Sequence, residues 1–243
     1  MANSYFQFKQ FTIQQDKTSM KVTTDACLFG AYTANKIESR KSKIESVLDV
    51  GAGTGLLALM IRQKNPSLTI DGIELDNDAS DQAKENVNAS PWKDLINIIH
   101  ADARQYTFDK KYDCIVSNPP FYENELKSGV EKKNIAHHSQ ALTLNDLFTI
   151  IKQNLEVQGI FYLLLPYKRA EEIKDLLNKH HLALKEILFV RQSVNHDYFR
   201  IILEGCHKKE GIETKIDEIS IWDDRQQYTA EFTALLKDYY LYL

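Results

Sequence analysis

The residues most diagnostic of the fold are Val47-Leu48-Asp49-Val50-Gly51-Ala52-Gly53-Thr54-Gly55-Leu56-Leu57. A short β-rich run is followed here by glycines at alternate positions and then by the start of an apolar helical pattern. Glycine is needed where the backbone adopts unusual dihedral angles or must approach a ligand closely. The stretch therefore predicts a strand, a tight turn that could face a ligand, and a helix.

On both sides of this turn, β-rich runs alternate with amphipathic helical stretches. The predicted strands are 46–50, 68–75, 97–101, 113–117 and 159–165, and the predicted helices are 56–64, 77–89 and 144–155. Such alternation predicts parallel strands joined by right-handed crossovers, as in a doubly wound α/β sheet. A helix over 169–180 and two β-rich runs, 185–191 and 198–206, follow. Because the loop between these runs is short, we expect an antiparallel pair and a mostly parallel, seven-stranded sheet overall.

The first 43 residues carry a different pattern. Aromatic and aliphatic residues alternate with polar ones, apart from one slip, at Phe6, Phe8, Phe11 and Ile13. This alternation predicts a short hairpin, and a helix over Thr24–Lys36 should follow, capped by Thr23 or Thr24. We therefore predict an N-terminal hairpin and helix, 1–43, packed on a core domain, 44–243.

The glycine spacing discriminates between nucleotide-binding loops. The dinucleotide-binding fingerprint places its third glycine three positions after the second, but Leu56 occupies that position and Gly55 precedes it. The order Asp49, Gly51, Gly53, Gly55 instead resembles the Asp/Glu-x-Gly-x-Gly-x-Gly loop of S-adenosylmethionine-dependent methyltransferases. That resemblance implies a Rossmann-like fold and S-adenosyl-L-methionine as the cofactor.

Carboxylates follow the next two predicted strands. Glu74 stands 19 residues after Gly55 at a strand end, where its two oxygens could accept hydrogen bonds from both ribose hydroxyls. Asp76 is an alternative, although it also fits a cap for the following helix. Asp102-Ala103 follows the third strand, and in this fold that position faces the adenine of the cofactor.

The fourth predicted strand leads into Asn118-Pro119-Pro120-Phe121. Two prolines remove two backbone donors and stiffen the chain, so an amide oxygen, a free carbonyl and an aromatic ring are presented together. The Asn118 side chain and the Pro119 carbonyl could each accept one hydrogen of a planar amine, and Phe121 could stack on its ring. This tetrapeptide resembles the signature of N-methyltransferases that act on amides or on base amines.

Two end segments resemble a narrower family, the bacterial enzymes that methylate N6 of adenine-37 in a valine tRNA. They are residues 20–31 and the C-terminal Tyr228-Thr229-Ala230-Glu231-Phe232 with Asp238-Tyr239-Tyr240-Leu241. The resemblance implies that Lys21, Thr24 and Asp25 lie near the methionine part of the cofactor, and that the tRNA anticodon loop is the partner. His137 and His138, in the long charged loop after Phe121, could contact a phosphate or the target base, although solvent-exposed loop histidines are the favoured interpretation. This chain has Ala136-His137-His138 where the family pattern is Ala-Arg-His.

Bulk properties exclude other classes. The formal net charge of −4 is not that of a uniformly basic nucleic-acid binder. The longest apolar run, 160–165, is far below the roughly 20 residues of a membrane span. The scattered Cys27, Cys114 and Cys206 fit neither a disulfide framework nor a metal site. We expect a cytoplasmic monomer that uses no metal.

Four other functions remain open on the sequence alone. A protein glutamine methyltransferase would use the same Asn-Pro-Pro-Phe motif, but such enzymes usually carry a separate N-terminal helical domain. A DNA adenine methyltransferase generally carries an inserted target-recognition domain, and an rRNA adenine would present the same amine. An inactive cofactor-binding regulator would not need an intact motif beside an intact glycine loop.

Overall fold

The computed structural model describes residues 3–18, 20–40, 42–120 and 142–243. Its strands are β1 (Tyr5–Gln7), β2 (Thr12–Gln14), β3 (Ser46–Val50), β4 (Thr69–Glu74), β5 (Ile96–His100), β6 (Tyr112–Ser117), β7 (Leu155–Pro166), β8 (Leu182–Ser193), β9 (Tyr198–His207) and β10 (Lys215–Trp222). Its helices are α1 (Thr24–Glu38), α2 (Leu56–Lys64), α3 (Asn77–Asn88), α4 (Leu144–Asn154), α5 (Ala170–Lys179) and α6 (Ala230–Leu236).

The central sheet has the order β10-β8-β9-β7-β6-β3-β4-β5. Strands β3 to β7 run parallel, whereas β9 is antiparallel to both β7 and β8. The order of the strands reverses at β3. The chain places β4 and β5 on one side of β3 and then crosses over to place β6 and β7 on the other side. Ligands bind open α/β sheets at such a switch point, beyond the carboxyl ends of the strands.

The predicted fold class is confirmed, and the sheet has one strand more than predicted. The additional strand β10 pairs in parallel with β8 at the sheet edge. Its first half, Lys215 to Glu218, is exposed and carries three charged residues, and of the whole strand only Ile219 and Ile221 are buried. Edge strands carry charged side chains that discourage pairing with other chains, and those charges hid the period-two pattern of this one.

The N-terminal segment packs into the same core as the sheet. β1 and β2 form the predicted hairpin, and Thr23, one of the two candidate caps, accepts a hydrogen bond from the Ala26 backbone at the start of α1. Helix α1 and strand β3 contribute buried residues to one hydrophobic cluster, which also contains Phe8 and Ile13. The division of the chain at residue 43 stays a prediction.

Burial of the cysteines agrees with the sequence interpretation. Cys114 and Cys206 are buried in β6 and β9 as predicted, and Cys27 is buried in α1. None of the helices in the described part of the chain combines the length and apolar character that a membrane crossing needs. Within those residues, no group of three or more histidine, cysteine or acidic side chains is arranged to hold a metal ion.

Candidate active site

The glycine loop connects β3 to α2 and bends back onto β4. The backbone N–H groups of Gly51 and Ala52 both donate to the Ile73 carbonyl, at 2.9 and 3.1 Å. Gly51 and Gly53 have φ angles of 76° and 56°, and a Cβ on either would meet no atom of the described residues within 4 Å. The left-handed backbone, not crowding, therefore requires glycine here, and the bare backbone leaves the space in front of it open.

Gly55 has a different environment from the other two glycines. It precedes α2 with a φ of 79°, and its N–H donates to the Ala52 carbonyl at 2.8 Å. A Cβ on Gly55 would lie 3.6 Å from the Ala83 side chain in α3, so this residue turns the chain where two helices pack. Gly55 does not line the cleft described next.

A cleft of about 420 Å³ opens at the carboxyl ends of β3, β4, β5 and β6. Its walls come from the glycine loop, the strand ends and the segment that precedes α1. The predicted site residues among its lining are Lys21, Gly51, Gly53, Glu74, Asp102, Ala103, Asn118, Pro119 and Pro120. Residues from five separate parts of the chain are thus brought to one concave surface, whose size is typical of small-molecule sites.

Glu74 ties the glycine loop to the end of β4. Its carboxylate accepts hydrogen bonds from the backbone N–H groups of Gly53, at 2.8 Å, and Asp76, at 2.9 Å. A carboxylate has about four acceptor positions on its two oxygens. Two of them therefore remain for a ligand, and the backbone bonds fix the direction in which they point.

Asp76 is the cap of α3, which was the competing interpretation of this residue. Its side chain accepts from the Ala79 backbone N–H at 2.8 Å. Asp102 lies across the cleft and forms a two-pronged ion pair with Arg104, whose Nη2 and Nε lie 2.7 and 2.9 Å from its carboxylate oxygens. The hydrogen bond from Arg104 lowers the pKa of Asp102, which keeps this carboxylate a pure acceptor.

Asp49 lies beneath the loop and does not line the cleft. It is fully buried, and neither oxygen has a well-formed hydrogen bond to another described residue. Burial, reinforced by the Glu74 charge and only partly offset by the Ala58 backbone N–H, raises the pKa of Asp49 from 3.8 to about 7. The unfolded chain loses this proton at lower pH than the folded chain does.

Asp49 should therefore make the cofactor-free protein less stable as pH rises from about 4 to about 7. In the unfolded state the carboxyl ionises near 3.8, while in the folded state it resists ionisation until about pH 7. We expect Asp49→Asn to remove about 2 to 3 kcal/mol of pH dependence between pH 5 and pH 8. Urea unfolding of both proteins at the two pH values measures this. If the stability difference between pH 5 and pH 8 is the same in both proteins, Asp49 is not the group with the raised pKa.

The segment before α1 forms one wall of the cleft. Lys21 Nζ donates to the Thr18 carbonyl at 2.9 Å and also to the Gln15 carbonyl, which leaves one hydrogen of the ammonium group for a ligand. Thr24 and Asp25 do not line the cleft. Asp25 accepts instead from Arg200 Nε in β9 at 2.8 Å, and this ion pair joins α1 to the sheet.

Asn118 stands at the end of β6, beside the glycine loop. The preceding residue, Ser117, donates from its hydroxyl to the Val50 carbonyl at 2.7 Å, which holds the two strand ends together. Asn118 Oδ1 is buried and has no hydrogen-bond partner among the described residues. Buried polar atoms are nearly always paired. An acceptor that lacks a partner beside a cleft therefore indicates that a donor of a bound ligand completes the pair. Phe121, His137 and His138 lie outside the described residues.

Comparison with known proteins identifies the family. The family model described as methyltransferase small domain matches residues 33–179. A Flavobacterium psychrophilum protein named tRNA1(Val) (adenine(37)-N6)-methyltransferase is 38% identical over 241 residues, which span 97% of this chain and 99% of that protein. The chain belongs to this methyltransferase family.

Solved structures place the family fold among more distant methyltransferases. A predicted O-methyltransferase from Agrobacterium tumefaciens superposes with a TM-score of 0.65 at 13% identity, covering 87% of this chain and 95% of its own. A glycopeptide N-methyltransferase complexed with S-adenosyl-L-methionine superposes with a TM-score of 0.54 at 12% identity, covering 73% and 94%. At such identities the likeness shows the shared fold alone.

Sequence reasoning missed several cleft residues of this family member. Arg104 follows Asp102 by two residues, and this Asp-x-Arg spacing in a turn was a local signal for the ion pair. Thr18, Met20, Val22 and Thr23 also line the cleft. The family resemblance over residues 20–31 pointed to this segment, but the segment has no periodicity, so only the folded chain shows which of its residues face the cleft.

Proposed function

We propose that this chain transfers a methyl group from S-adenosyl-L-methionine to the exocyclic N6 amine of an adenine in tRNA, adenine-37 of a valine tRNA being the expected target. The family named above supports the reaction and the substrate. The single observation that carries the proposal is that Asn118 Oδ1, at the wall of the cleft, has no hydrogen-bond partner in the described part of the chain. We also propose that the protein is located in the cytoplasm, where tRNA is found.

The residues of the cleft fit this cofactor. The two free acceptor positions of Glu74 suit a pair of ribose hydroxyls, and Asp102, held as an acceptor by Arg104, suits the amine of an adenine ring. The third hydrogen of the Lys21 ammonium suits the methionine carboxylate. The open backbone at Gly51 and Gly53 allows a ligand to approach. When bound, the cofactor supplies an electrophilic methyl group on a positively charged sulfur.

Asn118 and Pro119 orient the amine. The lone pair of an adenine amine is delocalised into the ring, which makes it a poor nucleophile. Asn118 Oδ1 and the Pro119 carbonyl each accept one N–H, which turns the lone pair toward the methyl group and offsets positive charge developing on nitrogen. The amide of Asn118 does not remove a proton from the amine nitrogen. That proton becomes acidic only after the nitrogen is methylated, and it passes to solvent.

A substrate assay tests the proposal. Purified protein and labelled cofactor are incubated with total tRNA from a strain that lacks the corresponding gene, and the digested nucleosides are separated. We expect labelled N6-methyladenosine, and we expect no label in a valine tRNA transcript that carries guanosine at position 37. Labelling of a release-factor glutamine, with none in tRNA, would replace this function by protein methylation.

A further inference from the structure

Three aromatic rings and one arginine lie close together where β7 and β8 end and β9 begins. Tyr167, Phe189 and Tyr198 have ring centroids 4.9 to 5.7 Å apart. The Arg191 guanidinium lies 4.2 Å from the centre of the Tyr198 ring. We name these four residues the aromatic rim. Tyr167 is 41% exposed and the other three are partly exposed, so an aromatic face is open to a partner.

The rim lies on the same edge of the sheet as Asn118. Ser117 pairs with Leu163 of β7, and three residues later Pro166 pairs with Arg200 of β9. The strands β6, β7, β9 and β8 are consecutive in the sheet. One strand spacing of about 4.8 Å separates the column of Asn118 from that of Tyr167, and three spacings, or roughly 14 Å, separate it from that of Arg191. A nucleic-acid strand of a few nucleotides could therefore contact both Asn118 and the rim.

An exchangeable arginine at this edge can contact a polyanion. The segments that form it, 166–169 and 191–200, contain four cationic side chains, Lys168, Arg169, Arg191 and Arg200, against one acid, Asp197. All three arginines pair with acids outside these segments: Arg169 with Glu172, Arg191 with Glu218 at 3.3 Å, and Arg200 with Asp25. Glu218 is 61% exposed in that pair. Such exposed pairs are weak, so a phosphate can compete for the guanidinium.

The geometry points to the aromatic rim as the docking surface for the RNA nucleotides that flank the methylated adenine. This inference rests on the proposed RNA substrate. A base that enters the cleft must leave its stack, and its neighbours then lose a stacking partner. Tyr167 replaces that partner, because any base can stack on an aromatic ring, and Arg191 contacts the adjoining phosphate. A protein partner of acidic character is the alternative outcome of the test.

Binding of an unmodified valine tRNA transcript, followed by fluorescence anisotropy over a range of salt concentrations, tests the inference. We expect Tyr167→Ala to weaken binding about tenfold, since one base loses its aromatic neighbour, whereas Tyr167→Phe should bind normally. Arg191→Gln should reduce the slope of log K against log salt by about 0.7. Glu218→Gln, which removes the competing carboxylate, should tighten binding.

Matched controls remove the same groups elsewhere. Tyr5→Ala deletes an exposed tyrosine of the N-terminal hairpin, and Lys152→Gln deletes a cation at the opposite edge of the sheet, beside the start of β7. Both should bind the transcript as the unmutated protein does. Melting temperature and affinity for S-adenosylhomocysteine are measured for each variant, and Tyr167→Leu, which keeps apolar bulk, replaces Tyr167→Ala if the latter does not fold.

Two failures can be told apart. If the unmutated protein methylates tRNA and Tyr167→Ala and Arg191→Gln bind it within twofold of the controls, the docking inference is overturned while the proposed function stands. If the unmutated protein neither binds nor methylates tRNA, the proposed function fails. Weaker methylation of an acidic protein by the same two variants would then assign the rim to that partner.

Discussion

Replacing Asn118 by alanine should lower the rate of methyl transfer by about 100- to 1,000-fold, while the affinity for S-adenosyl-L-methionine changes by no more than a few-fold. One preorganised polar group that acts on developing charge contributes about this much to catalysis. In the proposed binding mode Glu74 and the glycine loop hold the cofactor, so its binding should survive. Single-turnover methylation and calorimetric titration measure the two quantities.

The stability of the same variant discriminates a functional role from a structural one. An unpartnered buried acceptor destabilises a fold by about 1 to 3 kcal/mol, and Asn118 Oδ1 has no partner among the described residues. Asn118→Ala should therefore unfold at the same urea concentration as the unmutated protein or a higher one. Asn118→Asp, which keeps an acceptor oxygen at the Oδ1 position, should retain part of the activity. A destabilised but active Asn118→Ala protein would refute the assignment.

The fold was predictable where local chemistry and tertiary packing agree. The bounds of β3 and α2 match the prediction residue for residue, because the glycine loop between them punctuates the chain unambiguously. The sequence pattern did not predict β10 or α6, and the reasons differ. Charges mask the period of the first, and the second is only one or two turns long, too short for a helical period to emerge.

The candidate site was predictable where strand ends determine it. Glu74 is the last residue of β4, Asp102 and Asn118 follow β5 and β6, and parallel strands bring their carboxyl ends to one edge. Side-chain direction and long-range partners were not predictable. Asp49 points beneath the loop because side chains alternate along β3, and the partner of Asp25 is Arg200, which is 175 residues away. Such pairings depend on the completed sheet.

The pair Glu74 and Asp76 allows a direct test of which carboxylate binds the cofactor. Glu74→Ala removes an acceptor set that a pair of ribose hydroxyls would use, and a charged hydrogen bond contributes about 1.5 to 3 kcal/mol. With two such bonds lost, we expect cofactor affinity to fall by about 100-fold or more. Glu74→Gln, which keeps one acceptor oxygen, should lose less. Titration of each variant with S-adenosylhomocysteine gives the dissociation constants.

Asp76→Ala is the matched control, because it removes a carboxylate two residues away at the same cleft. Asp76 caps α3 through the Ala79 N–H, and loss of such a cap costs about 1 kcal/mol of stability. Its affinity for the cofactor should stay within a few-fold of the unmutated value. The reverse pattern, a large loss of affinity for Asp76→Ala and a small one for Glu74→Ala, would transfer the ribose contact to Asp76. Glu74 would then only brace the glycine loop through the Gly53 N–H.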